Sequence, residues 1–359
     1  MAKTQQPVST APGGTRPKPD RLMRAVVLAW VVVGAIVLMT LFKVVKSVGL
    51  FSFAGSVSPG VCRAVPLAGA GDLAFEGKGN TLFIAAAREG APGAGDGLYA
   101  LVPGGTKPVK LAGTPADFHP GALSIGYNAD GTPSLAAVNH RANGTVAIEV
   151  YNILYDAKGA SLASQASVQG GLARRSQGIA SVGNNRFYVA SNPTSSDLMA
   201  KLDRWFLLGR ADVLFFNGEL FREAVNGLSD PASVAVAPDG QRMFIAARGE
   251  RRLISLSRDL FTGTLTEQDS ISLPMRPERI SIDANGGIWV TGPNRLPPLG
   301  GASTVVRVVA GADGKLTSQD TIYADDGEGI RAATAAVKTD GHLFIGSRYD
   351  EKLLDCAAK

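Results

Sequence analysis

Beyond residue 60, apolar and polar positions fall into one motif that recurs along the chain. An alternating apolar run leads into a tight turn of Asp, Asn or Gly, and an aromatic or aliphatic run follows that ends in small residues. Six copies are present: LAFEGKGNTLFIAAA (73–87), LSIGYNADGTPSLAAVN (123–139), IASVGNNRFYVAS (179–191), VAVAPDGQRMFIAAR (234–248), ISIDANGGIWVTG (280–292) and AAVKTDGHLFIGS (335–347). Alternation over so few residues predicts a strand, and the turn between two such runs makes each copy a hairpin. Asp130-Gly131, Asp239-Gly240 and Asp340-Gly341 supply the positive φ angles that two-residue hairpin turns require. A spacing of roughly 45–57 residues per copy is that of one four-stranded propeller blade. The pattern therefore predicts an all-β, six-bladed β-propeller over 62–359, with the first strand of each copy lining a central channel.

Two stretches break the motif. Ala25–Phe42 holds 18 uncharged, mostly apolar residues, close to the ~20 that span a bilayer as a helix. It predicts a transmembrane anchor over 25–46, preceded by a disordered tail (1–24) rich in Pro, Thr, Gln and Gly and followed by a linker (47–61). A cleaved secretory signal is the alternative, with SFA at 52–54 as a weak cleavage site. In TSSDLMAKLDRWFLLG, Leu198, Leu202, Trp205 and Phe206 recur at helical spacing. This predicts an amphipathic helix over about 195–208, either packed on top of the propeller or touching the membrane as a lid.

Charge changes the picture in one respect. Seven Lys and Arg against one Asp put a net +6 into the first 46 residues, so the remaining 313 carry −1 of the +5 total. The basic balance belongs to the tail, and a nucleic-acid-binding face on the propeller is not expected. Positive charge ahead of the apolar segment places the N-terminus in the cytoplasm, with the C-terminal domain on the periplasmic side of the inner membrane. The only two cysteines, Cys62 and Cys356, lie at opposite ends of the exported part. In an oxidising compartment they are expected to pair, joining the last strand to the first; two buried free thiols are the alternative.

Several chemistries are disfavoured. The chain has no G-x-S-x-G elbow, Walker loop or H-E-x-x-H motif. His119, His140 and His342 are too few and too scattered for a zinc site of the usual spacing. Asn143-Gly144 reads as a hairpin turn.

Two stretches remain: DFHPGALSI (117–125) and LAAVNHRANGTVAIEVYNI (135–153). They resemble the paraoxonase/arylesterase family, which carries a histidine in each corresponding stretch. Trp205 followed by ADVLFFN, the turn VAPDGQRMFIAA, the terminal cysteines and the N-terminal apolar helix also fall where that family has counterparts. The resemblance implies a propeller of the paraoxonase and gluconolactonase type, whose members hydrolyse lactones and esters with calcium in the central tunnel. Most of the implied calcium positions are substituted. The family's Glu-Asp pair becomes Gly71-Asp72, its third-blade Asn-Asp becomes Gln177-Gly178, its fourth-blade asparagine becomes Ala232, and its fifth-blade Asp-Asn becomes Glu278-Arg279. Of the two histidines, His140 matches and the first falls on Gly121, with His119 two residues earlier.

Calcium takes six to eight oxygen ligands, and Arg279 would repel it. No cofactor is therefore expected, calcium remaining possible with Asp72 as a weak ligand. Arg279, paired with Glu278 or Glu328, is expected to take the ion's electrostatic place, or else to form a purely structural ion pair. His140 is the expected general base, with His119 in partial support, or else a histidine satisfying buried hydrogen bonds. Gln177, Glu278, Arg331 and Asn139 complete the expected substrate contacts. The functional expectation is a membrane-anchored hydrolase of small lactones or carboxylic esters; the alternative is a non-catalytic propeller that binds a ligand or protein.

Overall fold

The computed structural model describes residues 21–48, 55–88, 90, 93–170, 176–192, 209, 211–294 and 301–358. The tail before residue 21 and the amphipathic helix expected over 195–208 lie outside the described residues. Two units are distinct, an N-terminal one and the domain beginning at Val44. The first holds most of a helix, Arg21–Val48, whose segment Met23–Phe42 is long and apolar enough to cross a membrane.

Among the described residues the second unit consists of six four-stranded antiparallel sheets, and it is a six-bladed β-propeller. Five blades are built from consecutive strands: blade 1 over residues 70–110, blade 2 over 120–169, blade 3 over 178–228, blade 4 over 231–272 and blade 5 over 279–325. Each sequence repeat forms the inner hairpin of its blade, as in the pairings Leu73↔Ile84, Ile179↔Val189 and Ile280↔Val290. Blade 6 takes three strands from the end of the chain, Ala335–Thr339, His342–Gly346 and Lys352–Ala357, and its outermost strand, Cys62–Pro66, from the beginning. Cys62 lies directly opposite Cys356 in that pairing, and the two form a disulfide. This closure removes the unpaired strand edges that an open ring would expose.

The core is distributed radially, with one apolar cluster at each seam between neighbouring blades. Phe83, Leu98, Leu123, Leu135 and Tyr151 fill the seam of blades 1 and 2. Tyr188, Phe215, Val234, Met243 and Ile254 fill that of blades 3 and 4. Leu73, Leu82, Phe344 and Leu353 join blade 6 to blade 1. Every blade thus depends on two neighbours, and full burial of one such side chain contributes about 1.5–3 kcal/mol.

Three inner strands begin with a register shift: between Ala70 and Asp72, between Pro120 and Ala122, and between Pro231 and Ser233. Such a bulge inserts one unpaired residue and re-aims the backbone around it. The inserted residues are Gly71, Gly121 and Ala232, and the last two turn their carbonyls to a single side chain on the propeller axis.

Candidate functional site

That side chain is Arg279, the first residue of the inner strand of blade 5, Arg279–Ile282. It is 4 % exposed. Its Nη1 donates to the carbonyls of Ala232 (3.0 Å) and Glu278 (2.9 Å), and its Nη2 donates to that of Gly121 (2.6 Å). Its Nε lies 3.1 Å from Asp72 Oδ2. The guanidinium therefore joins blades 1, 2, 4 and 5 across the ring. Asp72 also accepts the backbone N–H groups of Leu73 and Leu123, each at 2.9 Å. Burial pushes the Asp72 carboxyl above the ordinary carboxylate range, against the pull of Arg279 and the two N–H groups. Burial likewise lowers Arg279, against the pull of Asp72. An arginine remains charged under such a shift.

Glu278 is the partner of a different arginine. Its Oε2 accepts from Arg248 Nη1 at 2.7 Å, Gln177 Oε1 accepts from Arg248 Nη2 at 2.9 Å, and Asp230 takes Arg248 in a two-point contact at 2.8 Å. Burial alone would lower the Arg248 pKa, but the Asp230 and Glu278 carboxylates more than offset it. The expected pairing of Arg279 with the carboxylate of Glu278 or Glu328 is thus corrected to Asp72. A bulged backbone brings blade 1 to the axis, and Glu328 is exposed.

Above Arg279 opens a cavity of about 370 Å3, whose lining includes His119, His140, Gln177, Arg279 and Arg348. His140 Nε2 stands so close to the backbone of blade 2 that a Cβ on Gly121 would approach it to 2.5 Å. Glycine at 121 is what admits the imidazole. Burial first, then the positive charges of Arg348, His119 and Arg279, lower the His140 pKa from 6.5 to about 4. His119 lies beside it, its carbonyl accepting the backbone N–H of His140 at 3.0 Å and its Nδ1 2.6 Å from Asp96 Oδ2.

The other expected contacts lie outside the cavity lining. Asn139 is fully buried; its Oδ1 accepts the His119 N–H at 2.9 Å and its Nδ2 donates to Glu149 at 3.2 Å, so it positions His119. Arg331 does not reach the mouth, because its exposed guanidinium folds back to the carbonyl of Tyr349. Arg248, Arg348, Arg88 and Asp96 went unread in the sequence. A signal for the arginines exists, since three repeats place an arginine one or two residues past the second strand of the hairpin: FIAAAR (83–88), FIAAR (244–248) and FIGSR (344–348).

Arg279 also borders a second space on the same axis, a tunnel of about 1640 Å3 with Phe75, Ile125, Val236 and Ile282 in its wall. Among the described residues no three His, Cys, Asp or Glu side chains gather closely enough to hold a metal ion.

Residues 107–357 match the Arylesterase family. The chain belongs to that family. Among its relatives, human serum paraoxonase/arylesterase 2 is 25 % identical over 251 residues, covering 66 % of this chain and 68 % of the relative. Rat serum paraoxonase/arylesterase 1 is 23 % identical over 252 residues with the same coverage. Solved structures agree with this chain in fold alone. A luciferin-regenerating enzyme superposes with a TM-score of 0.53 at 11 % identity, covering 83 % of this chain and 95 % of that one. A regucalcin from Agrobacterium tumefaciens, described as a calcium-binding protein, gives 0.50 at 14 % identity, covering 85 % and 97 %.

Measured against the calcium that the family resemblance implies, the donor set does not fit. The inner-strand positions offer one axial carboxylate, Asp72, and a guanidinium lies 3.1 Å from it. A dication would have to displace that guanidinium and then find five or more further oxygens.

Proposed function

We propose that this arylesterase-family propeller hydrolyses lactones or carboxylic esters in the 370 Å3 cavity without calcium. The observation that carries the reading is the position of Arg279, a fixed positive charge on the propeller axis at the floor of a cavity that also holds a neutral imidazole. Of the five N–H groups of a guanidinium, three bind carbonyls and one faces Asp72. The fifth is available to a substrate carbonyl, where it stabilises the negative charge that develops on the oxygen. Water attacks the carbonyl carbon and gives a proton to His140. The carbonyl–alkoxy C–O bond then breaks, and the imidazolium returns the proton to the departing alkoxide. Its low pKa makes His140 a weak base but a strong acid for that return, and the neighbouring oxyanion favours the imidazolium while it exists.

This reading fixes a pH dependence. His140 is neutral down to about pH 4, so the acid limb of kcat/KM is expected near 4 rather than 6.5, with His140→Gln losing about 10²–10⁴-fold. Stability follows the same group. Above pH 6.5 His140 is neutral in both folded and unfolded chains and pH has no leverage through it. Between 6.5 and 4 the unfolded chain takes up a proton that the folded one refuses, which costs about 3 kcal/mol by pH 4. A rate profile bending near 6.5, or a fully active His140→Gln protein, would put the base elsewhere.

A second reading, a propeller that binds its ligand without turnover, is favoured by one observation. Among the described residues neither ring nitrogen of His140 has a hydrogen-bond partner to orient it, unlike His119 with Asp96. Substrate binding with no hydrolysis would select it. The helix Arg21–Val48 and the disulfide support an anchored protein with its propeller on the oxidising, periplasmic face of the inner membrane.

A further inference from the structure

The cavity wall is cationic on four sides. Arg88 comes from blade 1, Arg141 from blade 2, Arg279 from blade 5 and Arg348 from blade 6, and among the described residues no aspartate or glutamate lines it. For three of these arginines and for His119, a carboxylate lies behind or outside that wall. Glu149 holds Arg141 from within blade 2 at 2.9 Å, Asp72 holds Arg279, Asp96 holds His119, and Glu351 meets Arg88 at the exposed rim. The acids behind Arg141 and Arg279 reduce the penalty for burying those charges, and both arginines still line the cavity. The side-chain exposures run from 63 % at Arg88 through 18 % at Arg141 to 4 % at Arg279, which grades the positive field from the rim inward, as an attracting funnel does.

We propose that the ligand of this cavity is a small lactone or ester that already carries a carboxylate, bound by Arg348 and Arg141 while Arg279 faces the reacting carbonyl. Guanidinium groups match carboxylates in paired hydrogen bonds that a neutral group cannot reproduce. A volume of about 370 Å3 is at the small end of ligand sites, suited to a single ring with few substituents. Burial first, and then Arg348, His119 and Arg279, depress the His140 pKa, so the imidazole adds no charge to the wall near neutral pH. The assignment deepens the hydrolytic reading and borrows from it the lactone or ester group; the selection for charge stands on the wall itself.

The test is calorimetric titration of the full chain in detergent, at pH 7, with 5-oxotetrahydrofuran-2-carboxylate, with its carboxamide and with inorganic phosphate, and turnover measured separately. The carboxylate is expected to bind at least about tenfold tighter than the amide, a preference that shrinks as salt is raised and falls about tenfold in Arg348→Gln. The salt series on the unaltered protein decides the matter even where the variant does not fold. Equal binding of carboxylate and amide overturns the proposal, and so does binding of phosphate with neither lactone bound. Selective carboxylate binding without turnover upholds the charge assignment and removes the hydrolytic reading alone.

Discussion

Replacing Cys62 and Cys356 together by alanine lowers the stability of the propeller by several kcal/mol. The disulfide closes a loop with a sequence separation of 294 residues. On the chain-entropy argument, releasing a loop of that length adds about 5–6 kcal/mol to the freedom of the unfolded chain, an upper bound because measured values fall short of it. The folded side loses as well. Cys62–Pro66 is the outermost strand of blade 6 and pairs only with Lys352–Ala357, so without the bond the ring closure rests on one short ladder and the seam around Val65, Leu73 and Leu353. Urea unfolding checks this. The midpoint should fall and the m-value rise, because the unbridged unfolded chain exposes more surface. A loss below about 1 kcal/mol would mean that strand pairing alone closes the ring.

Arg279→Met carries the second large effect. It leaves Asp72 buried beside no cation and strips the carbonyls of Gly121 and Ala232 of their donor. Removing one member of a buried ion pair costs about 3–5 kcal/mol, whereas replacing both by apolar residues is often nearly neutral. Loss of an oxyanion-stabilising donor lowers kcat by about 10²–10³. The two roles separate in the double variant Arg279→Met/Asp72→Leu. Stability should largely return, measured by thermal unfolding, while ester or lactone hydrolysis stays at the level of the single variant. Recovery of hydrolysis along with stability would reduce Arg279 to a plug.

What the sequence discloses and what it hides divides along physical lines. The six hairpins are legible because strand periodicity and Asp-Gly turns are local, and Gly131, Gly240 and Gly341 take φ angles of 81°, 69° and 75°. The sulfur link is legible because only one pairing exists. The partner of Arg279 is not, since Asp72 lies two blades away around the ring beside the bulge at Gly71, and no periodicity marks that bulge or those at Gly121 and Ala232 that bring carbonyls to the same guanidinium. His119 reaches the cavity from just ahead of the blade 2 strand, held there by Asn139 and Asp96. Arg331 reads as an inward cation from its place before blade 6, but its loop turns it to Tyr349. Arg88, Arg248 and Arg348 lie in plain sight at strand ends, where a terminal arginine is easily passed over as a solvated edge.

On the proposed reading, the Arg279 guanidinium holds the axial place that the family resemblance gives to a metal ion. Thermal unfolding and ester hydrolysis by the full chain, measured side by side in EDTA and in calcium at about 1 mM, the range in which extracellular sites bind, test it most directly. The same melting temperature and the same rate are expected in both. A rise of several degrees with calcium, as a ligand bound only to the folded state produces, together with activity that EDTA abolishes, would contradict it.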